Sequence, residues 1–194
     1  MRTIFRTSLV SVLSTVFAVT ALAHPNHKEH WGPSIGSTLP TDITVTTHEG
    51  DTVTLSDLAT GNGLAIAFVR SADWCPFCKR QIVELNQSRD EFAKRGVNLV
   101  VLSYDSVAIL NAFADEQNIG YTLVSDEGSR VINAFGIRNE KHEKGTSGYG
   151  IPHPGIMLFS PSGTLVAKFA EEGYRKRPPV EDVLAEADRR LVNQ

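Results

Sequence analysis

The chain has 194 residues, enough for one domain with a real core but short for two, and 41% hydrophobic with 21% charged residues excludes both a disordered chain and a membrane bundle. A formal net charge of -3 gives no electrostatic reason to bind nucleic acid.

At the start, Arg2 and Arg6 precede an apolar run from Leu9 to Leu22, and Ala21-Leu22-Ala23 has small residues at a cleavage position. Residues 1–23 are therefore expected to be a signal peptide, with His24 first in the mature chain and a periplasmic or otherwise exported destination. An uncleaved membrane anchor is the alternative, but Ser11, Ser14, Thr15 and Thr20 interrupt the run. Cleavage would leave 17 basic residues against 22 acidic ones, a net charge of -5. Residues 24–37 carry His24, His27 and His30 among Pro, Asn, Lys, Glu and Gly without apolar periodicity, which predicts a mobile arm. The remainder, 38–194, is expected to be one domain.

Ile43, Val45 and Thr47 alternate with Thr44 and Thr46, and a His48-Glu49-Gly50-Asp51 turn leads to Thr52-Val53-Thr54-Leu55, the pattern of a β-hairpin. Leu64 to Val69 is a continuous apolar run, expected as a central strand buried on both faces. Pro76 to Lys94 reads as one helix with Ile82, Leu85 and Phe92 inward, closed by Gly96. A second apolar strand follows at Val97 to Leu102, then a helix from Ser106 to Gln117, a short strand from Tyr121 to Val124, and a helix from Gly128 to Phe135 ended by Gly136. Arg138 to Gly150 has no period and reads as a loop. Ile156 to Phe159 and Leu165 to Phe169 flank Ser160-Pro161-Ser162-Gly163 as a second hairpin, and Val183, Leu184, Ala187 and Leu191 mark a last amphipathic helix. Parallel β-α-β units followed by a hairpin and a helix predict an α/β domain with a mixed central sheet and helices on both faces.

The chain has two cysteines, Cys75 and Cys78, three positions apart. A disulfide closing so short a loop contributes roughly 2 kcal/mol in the chain-entropy model, so reactivity explains the spacing better than stability. Cys75 falls between a buried strand and a helix start, with Pro76 suited to the first helical position. Unpaired helix N–H groups, the helix dipole, and the charges of Lys79 and Arg80 favour a thiolate there. Cys78, one turn on, is placed to attack a mixed disulfide on Cys75 and release the partner. Other readings are half of a zinc site, for which only His142 and His153 lie near in the later sequence, or an inert pair.

Trp74-Cys75-Pro76-Phe77-Cys78-Lys79 after an apolar strand, together with His153-Pro154-Gly155-Ile156-Met157-Leu158-Phe159, resembles the thioredoxin superfamily, in its branch of peroxiredoxin-like redoxin domains of the AhpC/TSA type. The resemblance covers about 35–192 and includes Ser125-Asp126-Glu127-Gly128, Phe135-Gly136-Ile137 and Gly173 to Pro178. It implies a thioredoxin fold carrying an N-terminal hairpin, and a cis-proline at Pro154 that brings His153 to the active site as base or hydrogen-bond donor. Peroxiredoxins carry Pro and Thr ahead of the peroxide-reactive cysteine and an arginine near the later strand. Aligned on Cys78, this chain has Ser71, Cys75 and His153 there. Thioredoxins carry a buried acid where this chain has Val69, and Asp73 is expected to be solvated.

The expected function is that of an exported antioxidant thiol oxidoreductase with a redox-active disulfide and no bound cofactor. It either exchanges disulfides with a thiol or disulfide protein substrate, with Cys75 as nucleophile, or reduces peroxide using an external thiol reductant. In the second case the resemblance makes Cys78 the attacking thiol and Cys75 its resolving partner. Trp74 and Phe77 would form an apolar substrate-binding rim. Arg70 and Arg175-Lys176-Arg177 read as solvated charge. The rival function is binding of a soft metal such as copper by the cysteine pair.

Overall fold

The computed structural model describes residues 30–192. The expected signal peptide and the first part of the expected arm lie outside the described residues. The strands are β1 (Thr44–Thr47), β2 (Thr52–Thr54), β3 (Gly63–Phe68), β4 (Val97–Ser103), β5 (Thr122–Ser125), β6 (Gly155–Phe159) and β7 (Leu165–Phe169). The helices are α1 (Pro76–Gln87), α2 (Arg89–Lys94), α3 (Val107–Gln117), α4 (Arg130–Ala134) and α5 (Val180–Ala187), the last continuing into a π-helical turn, Asp188–Val192.

The seven strands form one mixed sheet in the order β2-β1-β5-β4-β3-β6-β7. β3, β4 and β5 run parallel, and the two hairpins are antiparallel additions at either side. This is the thioredoxin-type α/β sheet with an N-terminal hairpin expected above. Alternation along β3 divides the core: Ala65, Ala67 and Val69 join both cysteines, Ile82, Leu85, Phe92 and Val183 on one face, while Leu64, Ile66 and Phe68 join Val131, Ile132 and Phe135 on the other. Every β3 residue is buried, as its unbroken apolar run required.

Two expectations are corrected. The helix from Pro76 to Lys94 is two helices, because Ser88 leaves helical geometry (φ -101°, ψ 2°) and the chain restarts so that Phe92 is buried with Leu85. The arm is shorter than 24–37, because Trp31 is 4% exposed and its Nε1 donates to the His153 carbonyl at 3.0 Å. Gly36 N donates to Leu165 O at 2.8 Å and Leu39 N to Gly163 O at 2.9 Å, so this segment adds to the free edge of β7. Apolar periodicity was the wrong test for it, since one aromatic anchor and edge hydrogen bonds hold it.

Candidate active site

β3 and β4 are parallel neighbours, so their carboxyl ends lie side by side, where α/β sheets place their sites. The connection leaving β3 is fixed by a residue just beyond β4. Asp105 is 4% exposed, and its carboxylate accepts from Ser71 Oγ (2.8 Å), Ala72 N (2.7 Å) and Ser103 Oγ (2.8 Å). Ser71 Oγ in turn accepts from the backbone N–H groups of Asp73 (3.0 Å) and Trp74 (3.3 Å). Burial pushes the Asp105 carboxyl above its ordinary range, against the pull of these hydrogen bonds. The acid that organises the site is therefore Asp105, while Asp73 is exposed as expected.

The loop delivers Cys75 to the N-cap of α1 with Pro76 behind it. Cys75 Sγ accepts from the Cys78 backbone N–H at 3.3 Å, a cap hydrogen bond of the kind Ser or Thr normally makes. Cys75 and Cys78 form a disulfide, with 1% and 0% of their surface exposed.

Arg177, in the connection between β7 and α5, reaches the pair from above. Its Nη2 is 3.4 Å from Cys78 Sγ, its Nε donates to Gln81 Oε1 at 2.6 Å, and its Nη1 donates to the carbonyls of Tyr174 and Lys176. Burial, with the neighbouring charges of Arg70 and Arg80, pushes this guanidinium down to about 10. Its hydrogen bonds go to a neutral amide and carbonyls, so in the disulfide form they bring it no full negative charge.

Aromatic rings surround this cation cluster. Phe77 meets Tyr174 edge to face at 5.8 Å, and the Arg70 guanidinium lies 4.4 Å from the Tyr174 ring centre and 4.8 Å from that of Trp74. Trp74 Nε1 donates to Tyr104 Oη at 3.0 Å, and Tyr104 Oη donates to Ser147 O at 3.1 Å.

The expected cis-proline is a correction: the His153–Pro154 bond is trans. His153 N donates to Ile137 O at 2.7 Å, and Arg138 bridges Pro152, so the chain enters β6 already extended against a neighbouring segment. Pro154 is buried, while His153 is half-buried with Nε2 3.5 Å from Glu140 Oε2; no hydrogen bond or ion pair joins it to either sulfur. Trp74 and Phe77 do flank the pair. Arg177, Gln81, Tyr104 and Asp105 were missed as site residues. Asp105 had a readable signal, its place just past a buried parallel strand. Arg177 had only Pro178-Pro179 behind it, which fixes the backbone but not where the guanidinium goes.

The family model for the AhpC/TSA family matches residues 35–168. Peroxiredoxin Bcp of Escherichia coli (strain K12) is 33% identical over 110 residues, covering 57% of this chain and 69% of the relative. The chloroplastic peroxiredoxin Q of Triticum aestivum is 30% identical over 102 residues, 53% of this chain, and the match spans less than half of the wheat protein, 46%. Among solved structures, peroxiredoxin Q of Xanthomonas campestris superposes with a TM-score of 0.64 at 29% identity, covering 76% of this chain and 92% of that one. The bacterioferritin comigratory protein of Xanthomonas campestris, studied for alkyl peroxide reduction, gives 0.66 at 28% identity, covering 78% and 96%. With the family model matching well over half its length, the chain belongs to the AhpC/TSA family.

Proposed function

We propose that the chain is an exported thiol-dependent peroxidase in which Cys78 attacks peroxide and Cys75 resolves the product. The observation that carries this reading is the Arg177 guanidinium 3.4 Å from Cys78 Sγ. Where the resemblance expects an arginine, this chain has His153; Arg177 supplies the cation from a different segment. Its positive charge favours the Cys78 thiolate and meets the negative charge that develops on a peroxide oxygen as the O–O bond breaks.

The Cys78 thiolate attacks one peroxide oxygen, leaving a sulfenic acid on Cys78 and releasing an alcohol or water after protonation. Cys75 Sγ then attacks the Cys78 sulfur, expelling hydroxide as water and forming the disulfide. Two thiol equivalents from an external reductant restore the pair. The relatives are peroxiredoxins by name, and the comigratory protein of Xanthomonas campestris was studied for alkyl peroxide reduction, which supports this reading over plain disulfide exchange. Trp74 and Phe77 serve as the apolar rim, and buried Pro154 is a wall of the fold beside β6.

The test uses two variants. Cys75→Ser should consume one equivalent of peroxide and accumulate sulfenic acid on Cys78, detected by a sulfenic-acid trap, whereas Cys78→Ser should not. The reverse pattern, with Cys78→Ser trapping a mixed disulfide on Cys75 and Cys75→Ser inert to peroxide, would replace the peroxidase with a disulfide-exchange enzyme. Export rests on Arg2, Arg6 and the run from Leu9 to Ala23, and sequencing of protein from its host should begin at His24. Recovery of cytosolic protein starting at Met1 would overturn it.

A further inference from the structure

A cavity of about 300 Å³ opens beside Trp74, on the side of the residue that precedes Cys75, lined by Arg70, Trp74, Tyr104, His142 and Ser147 among others. It is several times larger than hydrogen peroxide requires, and at the small end of ligand sites in general. The Trp74 and Tyr104 side chains are among its walls. The backbone wall at Gly148 is tight, since a side chain there would collide with the His142 imidazole.

Among the described residues no carboxylate pairs with the cation in this cavity. Arg70 Nε is buried with no hydrogen-bond partner among the described residues, and the guanidinium is held between Trp74 and Tyr174. Burial pushes Arg70 below its ordinary value, and the groups that oppose this are the phenols of Tyr174 and Tyr104, not a carboxylate. A partly desolvated planar fork that no carboxylate among the described residues pairs with is suited to take one from a ligand.

The state of the cysteines says which ligand. The cavity is formed while Cys75 and Cys78 are joined, and the molecule that must act on the disulfide form is the reductant. The sulfur that leaves fastest is the one best stabilised as a thiolate, and that is Cys78 beneath Arg177. Attack therefore falls on Cys75, whose neighbour in the chain, Trp74, lines this cavity.

We infer that the Arg70 cavity seats a small thiol bearing a carboxylate, which reduces the disulfide by direct attack on Cys75. This rests on the peroxidase reading for its place in the cycle. The incoming thiolate forms a bond to Cys75 Sγ while the Cys75–Cys78 bond breaks and Cys78 leaves as thiolate. A second thiol molecule attacks the ligand sulfur of the mixed disulfide, releasing the oxidised ligand dimer and the Cys75 thiolate, which takes up a proton. Cys75 is only 1% exposed, so a thiol held against Trp74 gains most by proximity when local motion bares the sulfur.

The experiment starts from purified disulfide-form protein and follows its reduction by mercaptoacetate, mercaptoethanol and cysteamine, with rates expressed per thiolate. Mercaptoacetate should be faster than cysteamine by roughly ten-fold at low salt, and high salt should shrink the difference. Arg70→Met should abolish the preference and Arg70→Lys should keep part of it. Ser147→Trp, at an exposed loop position, should fill the cavity and abolish the preference with Arg70 intact. Equal rates for the three thiols, or a preference that survives either Arg70→Met or Ser147→Trp, would overturn the assignment. Oxidation of the reduced protein by hydrogen peroxide is measured separately, so failure of that half-reaction overturns the peroxidase reading while the thiol series still decides the cavity.

Discussion

Arg177 Nη2 lies 3.4 Å from Cys78 Sγ, whereas the hydrogen bond that Cys75 Sγ accepts comes from the Cys78 backbone N–H at 3.3 Å. The two sulfurs thus differ in kind: one faces a half-buried cation, the other caps a helix. Charge-assisted hydrogen bonds contribute about 1.5–3 kcal/mol, which is about 10- to 100-fold in thiolate population. In a Cys75→Ser background, Arg177→Met should slow the reaction of Cys78 with hydrogen peroxide by about that factor near neutral pH. The gap should narrow at alkaline pH, where both proteins are fully thiolate and only the help Arg177 gives the departing oxygen remains. Equal rates near neutrality would remove Arg177 from the site.

Asp105 yields a second expectation through its protonation. Burial raises its carboxyl above the ordinary range, so the folded state favours the protonated form. The stability this gives is fully present below the ordinary carboxylate value and is lost as pH rises through the window up to the raised value. Asp105→Asn removes the titration but weakens the hold on Ser71, Ala72 and Ser103 at every pH. The melting-temperature difference between wild type and Asp105→Asn should therefore narrow as pH increases through that window and then level off. A difference that widens over the same range would mean that the three donors outweigh burial.

The strands and most helices were legible because burial leaves a period in the chain. Leu64 to Val69 is apolar without interruption because both its faces are covered, and the turns at Glu49-Gly50 and Ser162-Gly163 use residues that tolerate sharp reversal. Cys75 and Cys78 were legible because a cysteine pair at a helix start has few purposes. Arg177 was not, because basic residues crowd solvated surfaces, and only tertiary packing separates Arg177 against Gln81 and Cys78 from exposed Arg175 and Lys176 beside it. Trp31 failed for a related reason: its anchor points, His153 and Phe68, are remote in sequence.

Trp31 therefore carries a direct test of where the domain begins. Its ring meets Phe68 edge to face at 6.2 Å, and Gly155 leaves no room for a side chain beside it. Truncating a buried aromatic costs about 3–5 kcal/mol. Trp31→Ala should lower the melting temperature by on the order of 10 °C in a domain of this size. Gly155→Ala should also destabilise, because the added methyl meets the Trp31 ring and the Phe169 carbonyl. A Trp31→Ala protein as stable as wild type would return residues 31–37 to the status of an arm.

The last expectation concerns the redox balance of the pair. In the disulfide form Arg177 is a half-buried cation with its value pushed down to about 10 by partial burial and by Arg70 and Arg80. Reduction creates a thiolate on Cys78 at the position that guanidinium already addresses, so the ion pair exists only in the reduced protein. An interaction present in the reduced form alone favours reduction and raises the potential of the couple. Removing it should make the disulfide harder to reduce. For a two-electron couple about 30 mV corresponds to about 1.4 kcal/mol, so a loss of about 1.5–3 kcal/mol lowers the potential by roughly 30–65 mV. Equilibration of Arg177→Met and wild type in a glutathione redox buffer at neutral pH, read by thiol alkylation, measures the shift directly. At a pH low enough to protonate Cys78 in both proteins the shift should vanish, because a neutral thiol gains little from the cation. An unchanged or higher potential in Arg177→Met at neutral pH would show that the guanidinium does not hold a Cys78 thiolate, and the assignment of Cys78 as the attacking sulfur would lose its physical basis.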